Sequence, residues 1–561
     1  STTLRDAAEI NALTDAVETN VARIEAAAED EVDQIDFPPI DGTGNGGDDG
    51  AFNVTVDEAA GAYVMRLTGE QSVLQGVSAE SASVETVNVQ VTFDSETDFE
   101  FDLANMEDVA RLTNDGSQNL ANTDNTAEVL RFLNVERSTT VGIRDSGVPL
   151  DIDYRNTDGA ADSANLVFNG VQSQEPGATS SLGSKVTIDD GIERLTINAE
   201  NNPSRLVQLE GEGLETLFVT GDAALTIGNA LPAGISKFDA TAMLGRLNIE
   251  FSNADAANLD ITGGLGSDRI DVLGGALDNA DSIDGGRGSN DVLGIDTTLD
   301  GVSFTGFEGV ALQGDDDISF AATSLAGVST LIVEMGGSPA DDDPTQPLVE
   351  LTEVATDASL IIADTATDNP GDAVSIDLTP GDASAADDNL AVTLRANKDI
   401  DTAYRVEQLS LMQDASDESI EALTFSLSGS RDVEILDIEN EDAASALTVN
   451  IEATNPDDAE GDLTLDNVTP GLADDFVFLS DFNNVVTIDG FEDDRLDLSA
   501  FDTLTSLNDL DFADMSMDDT AAADDSTTIT SDAFAGSIVL LGTDATPADS
   551  TALDAGNFVF A

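Results

Sequence analysis

The chain has 561 residues, with 112 Asp and Glu against 20 Lys and Arg, and a formal net charge of −92. That balance argues against nucleic acid and anionic membrane surfaces as direct partners, because both are bound by basic faces. With no Cys, no His, no Trp and 3 Tyr, the chain has no disulfides, no thiolate or imidazole chemistry and few aromatic platforms for sugars, so it reads as a non-enzyme.

Hydrophobic residues make up 40% of the chain, enough to build a core from Val, Leu, Ile, Ala and Phe. Residues 1–34 are predicted to form an N-terminal helical arm, because Ile10, Leu13, Val17, Val21 and Ile24 fall on one helical face. The segment carries neither the basic region nor the apolar core of a secretory signal. Residues 35–52, with Pro38, Pro39 and a glycine-rich acidic run, read as a linker. No stretch approaches the roughly 20 apolar residues of a membrane span, so membrane insertion is not expected.

Strand patterns dominate from residue 53 onward. Val54 and Val56, then Tyr63, Met65 and Leu67, then Val87, Val89, Val91 and Phe93 alternate with polar residues, which predicts half-buried strands in a first β-domain over 53–180. Between 181 and 335 the hydrophobic pairs come closer together: Leu195/Ile197, Leu217/Val219, Leu225/Ile227, Leu247/Ile249 and Leu259/Ile261. That density suits a parallel β-helix or β-roll, in which each coil contacts only its neighbours. A Pro-rich break at 336–347 leads to a second repeat β-domain over 348–470, interrupted by the acidic run Glu452 to Asp462, and then to a C-terminal β-domain over 471–561. The expected fold class is therefore all-β, with parallel β-helix/β-roll segments, additional β-domains and a short N-terminal helix.

A short motif recurs along this length: hydrophobic-Glu-x-hydrophobic-x-hydrophobic. Copies begin at Val84, Ile192, Leu214, Phe307, Val406, Ile420 and Val433. Each predicts a strand led by a Glu.

The stretch GGLGSDRIDVLGGALDNADSIDGGRGSNDVL, Gly263 to Leu293, carries Gly-Gly pairs starting at Gly263, Gly274 and Gly285. Its first nine residues match G-G-x-G-x-D-x-hydrophobic-x throughout. Gly263, Gly264 and Gly266 permit a tight turn, Asp268 offers carboxylate oxygen, and Ile270 points inward. Two such turns, stacked, would surround a hard cation with carbonyl and carboxylate oxygens, which suits calcium. The later copies are degraded: the middle one lacks the third glycine, and the last has Gly286 and Gly288 but Asn290 in the acid position, with Asp291 one place later. About one or two Ca2+ ions are expected, with Asp268, Asp271, Asp281, Asp284 and Asp291 as the ligand candidates.

The nonapeptide resembles that of repeats-in-toxin (RTX) proteins, and the resemblance implies calcium-dependent β-rolls and type I secretion from a Gram-negative cell. The hydrophobic-acidic segment Val485 to Asp502 and the tail LDAGNFVFA, Leu553 to Ala561, are similar to the end of such proteins, where an uncleaved export signal lies. Residues 213–250 and the run from Gly285 to Leu312 resemble the body of type I-secreted surface-layer (S-layer) proteins. This chain has fewer glycine repeats, more Glu and a shorter helical part than that family. The resemblance implies a secreted calcium-binding structural protein that self-assembles at the cell surface, with itself as main partner in a sheet or filament. Cell-surface polysaccharide or lipopolysaccharide is a further candidate partner. An extracellular filament or matrix fibre, a calcium-dependent adhesin and a secreted β-helix polysaccharide-active enzyme are the alternative readings.

Overall fold

The computed structural model describes residues 53–59, 62–70 and, apart from loop segments such as 120–127, 173–183 and 336–346, residues 85–560. The predicted arm 1–34, the linker 35–52 and the Pro-rich break up to residue 346 lie outside the described residues. The described chain is almost wholly β, and its strands pair in parallel over most of their length. Among the described residues no helix is long and apolar enough to cross a membrane.

The chain divides into two compact units. The first comprises Ser1–Val272 with Ala280–Asp291, the second Leu273–Asn279 with Val292–Ala561. In the first unit one sheet starts with an antiparallel hairpin, Asn53–Ala59 with Ala62–Glu70. It then runs in parallel through Thr86–Phe93, Arg111–Asp115, Thr140–Arg144, Ser163–Asn169, Arg194–Ala199, Thr216–Gly221, Lys237–Met243, Asp260–Thr262 and Ser282–Asp284. Pairing continues across residue 181. Further parallel strands form the other walls: Phe99–Asp102 to Gln208–Glu210 in one group, and Ser204–Leu206, Leu225–Ile227, Leu247–Phe251 and Arg269–Val272 in another.

Equivalent side chains stack in columns because the register is kept from coil to coil. Leu195 pairs with Leu217, Leu217 with Phe238, Phe238 with Ile261 and Ile261 with Ile283, all essentially buried. Burying each such side chain contributes about 1.5–3 kcal/mol. The predicted set Val87, Val89, Val91 and Phe93 is completely buried. Around the glycine turns, coil-to-coil hydrogen bonds join residues 21–23 apart. Earlier in the unit they join residues 29–33 apart.

The second unit repeats the arrangement. One of its parallel sheets carries the column Val310, Leu331, Leu360, Val392, Phe425, Ile451 and Phe478. The other runs from Ile318–Ala321 to Phe534–Leu541 and finishes in antiparallel pairing through Ser526–Ser531 to Asp511–Asp514. Phe558–Val559, in the tail, pairs in parallel with Arg495–Asp497.

The Glu-led motif has a structural meaning. Where it starts at Val84, Ile192, Leu214, Phe307 and Ile420, the strand begins two residues later. The backbone carbonyls of Glu85, Glu193, Glu215 and Glu308 each accept two successive N–H groups from the next coil, as at Glu193, which takes Glu215 at 2.9 Å and Thr216 at 3.0 Å. The motif is a corner where a coil turns into a strand. The copies at Val406 and Val433 differ, since the first begins inside the strand Tyr404–Leu411 and the second coincides with the start of the strand Val433–Ile435.

Candidate calcium-binding turns

The turns at 263–266 and 285–288 lie one coil apart, and they stack. A Cβ on Gly263 would fall 2.1 Å from the Gly285 carbonyl oxygen, one on Gly286 2.3 Å from that of Gly264, and one on Gly288 1.9 Å from that of Gly266. Gly286 also has φ +102°, which disfavours any side chain. Glycine is thus required here for backbone-to-backbone approach. The middle pair begins at Gly274, which belongs to the second unit and has φ +94°. Its N–H donates to Asp296 Oδ2 at 2.6 Å.

The predicted ligand residues do not form one cluster. Asp268 is 1% exposed; its Oδ1 accepts the Leu247 N–H at 2.9 Å and its Oδ2 the Gly264 N–H at 2.7 Å. Burial pushes its carboxyl up, against the pull of those amides and of nearby Arg246. Asp291 Oδ1 accepts the Asp268 N–H at 2.7 Å, and Asp281 Oδ1 the Leu259 N–H at 2.8 Å. Asp271 pairs with Arg269 at 3.0 and 3.1 Å. Asp284 Oδ1 accepts the Gly286 N–H at 3.0 Å within its own turn. Asn290 is exposed, in the left-handed region at φ 63°.

These acids share a position that sequence reasoning missed. Asp268, Asp281 and Asp291 each stand immediately before a strand. So do Asp98, Asp317, Asp432, Asp462, Asp474 and Asp494, none of which is in a glycine turn. Every one accepts a backbone N–H at the start of a strand on an adjacent coil: Val129 at 3.0 Å, Leu348 at 2.9 Å, Asp462 at 2.9 Å, Val485 at 2.7 Å, Leu447 at 2.8 Å and Asp474 at 2.8 Å, respectively. A strand's first amide needs an acceptor if it is not to be buried unpaired. The short Asp side chain supplies one from the neighbouring coil. The signal available in sequence was Asp directly before an alternating run, at coil spacing.

Among the described residues no three or more acidic side chains converge as a metal-holding group. The donors at the stacked turns are nonetheless all oxygen, carboxylates beside backbone carbonyls that glycine leaves uncrowded. That chemistry fits a hard cation such as calcium and not a soft metal.

Among the described residues, ten Lys and Arg side chains form ion pairs within the fold. Arg131 reaches Asp98 at 2.9 Å and Asp151 at 3.3 Å, Arg155 reaches Glu136 at 2.6 Å, Lys237 reaches Asp260 at 2.8 Å and Arg405 reaches Glu434 at 2.7 Å. Arg144 and Arg495 pair likewise with Asp115 and Asp475. These pairs join neighbouring parallel strands. No protein-family model matches the chain, and no curated protein matches its sequence.

Proposed function

We propose that the chain is a secreted, calcium-binding structural protein that self-assembles into an extracellular layer at the surface of a Gram-negative bacterium. The observation that carries this reading is the charge arrangement on a repetitive scaffold. Lys and Arg number only 20 against 112 acids, so most of the acids must be neutralised by ions from solution. Divalent ions neutralise two carboxylates at once and can do so within a coil stack or between copies. Assembly then follows extracellular calcium by mass action. Polysaccharide or lipopolysaccharide at the cell surface is the proposed anchor.

Negative-stain electron microscopy of the purified protein, in millimolar calcium and again in excess chelator, tests the reading. Ordered sheets that need calcium support it. Monodisperse particles in both conditions refute it and direct attention to adhesin and polysaccharide assays.

A further inference from the structure

The glycine turns do more than bring coils together; they also push particular side chains outward. The Leu244 N–H bonds the Gly221 carbonyl at 2.7 Å, the Leu265 N–H that of Met243 at 2.8 Å, and the Arg287 N–H that of Gly264 at 2.9 Å. Leu244, Leu265 and Arg287 therefore occupy one position on three successive coils. Beside them, Gly245, Gly266 and Gly288 leave no space for inward side chains: a Cβ on Gly245 would lie 2.3 Å from the Ala223 carbonyl oxygen, and one on Gly266 2.5 Å from that of Gly245.

Leu244 is 59% exposed and Leu265 44%; among the described residues the only other large hydrophobic side chain so exposed is Leu479. Two adjacent coils thus present an apolar pair to solvent on a chain of net charge −92. Arg287 extends that row and Arg246 stands next to it, both exposed. Arg246 acts on buried Asp268 from a distance, but neither arginine forms an ion pair with a described residue, unlike most basic side chains of this fold.

We infer that this corner, formed by Leu244, Leu265, Arg246 and Arg287, is a contact surface for a second copy of the same chain. The inference rests on the self-assembly reading and locates one of its interfaces. Charge complementarity selects the occupant. Two exposed guanidinium groups without an ion pair to any described residue, flanking an apolar pair, match carboxylates over hydrophobic surface, and another copy supplies carboxylates on almost any face. The corner does not match itself, since that would set arginine against arginine. The contact is therefore heterologous, head to side, and such contacts propagate instead of closing into a dimer.

The test compares the wild type with L244S/L265S, R246E/R287E and a control, L479S, in millimolar calcium. The critical concentration for assembly is read by sedimentation and electron microscopy, and circular dichroism melts verify folding. Both double variants are expected to raise the critical concentration at least tenfold, and L479S to leave it unchanged. Because the chain has no Cys, L265C can also carry a single benzophenone label. That label is expected to cross-link to an acid-rich peptide of a second copy, giving a dimer-sized adduct. Wild-type assembly by both double variants, or a cross-link confined to the labelled chain's own residues, overturns the inference and leaves self-assembly standing. A wild type that never assembles refutes the self-assembly reading first, and this interface with it.

Discussion

Replacing Asp474 by Ala removes the carboxylate that accepts the Leu447 N–H at 2.8 Å. Both residues are completely buried. Water cannot reach the stranded amide, so the loss is close to the full cost of an unmade charge-assisted hydrogen bond, about 2 kcal/mol. The Asp474 N–H keeps its own acceptor, Asp494 Oδ1, at 2.8 Å. Asp474→Asn retains an oxygen at that site without the charge and should cost about half as much. Hydrogen–deuterium exchange of a peptide spanning Leu447 reads the effect directly. About 2 kcal/mol corresponds to roughly thirtyfold faster exchange there, with little change in peptides of the first unit. Exchange within threefold of wild type in D474A would falsify the idea that strand-leading aspartates hold coil junctions together.

Gly288→Ala places a Cβ 1.9 Å from the Gly266 carbonyl oxygen, so it should destabilise by about 1–3 kcal/mol; an unchanged thermal midpoint would contradict the stacked-turn geometry. Asp153, although exposed, has its carboxyl raised by partial desolvation and then by the neighbouring acid Asp189. Its folded-state pKa therefore lies above the unfolded value, and its contribution to stability falls as pH rises through the window above 3.8. Asp153→Asn should accordingly raise the melting temperature near pH 7 and match wild type below that window; a gain that persists in acid argues against this cause. Arg131→Ala removes two partly exposed ion pairs and should cost less than about 1 kcal/mol in denaturant melts, because surface pairing contributes little beside the core columns. For Asp268→Asn, which leaves one of two buried N–H groups without an acceptor, the chelated protein should lose about 1–3 kcal/mol of stability, and calorimetric titration of the folded variant with calcium should show weakened binding; unaltered affinity would remove Asp268 from the calcium reading.

The strands were legible because burial on one face imposes period-2 alternation, as at Val87 to Phe93. The parallel stack was legible because short hydrophobic pairs, such as Leu195/Ile197, Leu217/Val219 and Leu225/Ile227, crowd together between residues 181 and 335. The stacked turns were half legible. The G-G-x-G runs at Gly263 and Gly285 announce close backbone approach, but only the coil length reveals that these two, one coil apart, are the ones that stack. The work of Asp268 and Asp291 was hidden for the same reason. Their amide partners are distant in sequence, and the acid looks the same whether it faces a cation or an N–H. Val406 and Val433 match the corner motif in letters alone, because alternation within a strand can reproduce it by chance. The outward row Leu244–Leu265–Arg287 could not be read before the coils were aligned, since no local pattern marks a leucine as exposed.

Coils of 21–23 residues around the glycine turns also make length a discrete variable for this protein. The hydrophobic columns repeat once per coil, and each coil rests on its neighbours alone. Adding or deleting one complete coil would leave every other junction intact and change only the height of the stack. Removing half that number would bring turns against strands and place core side chains in solvent. Tandem duplication of whole coils is thus a route by which such a chain can lengthen without inventing a new fold, and excision of one is a route by which it can be shortened in the laboratory.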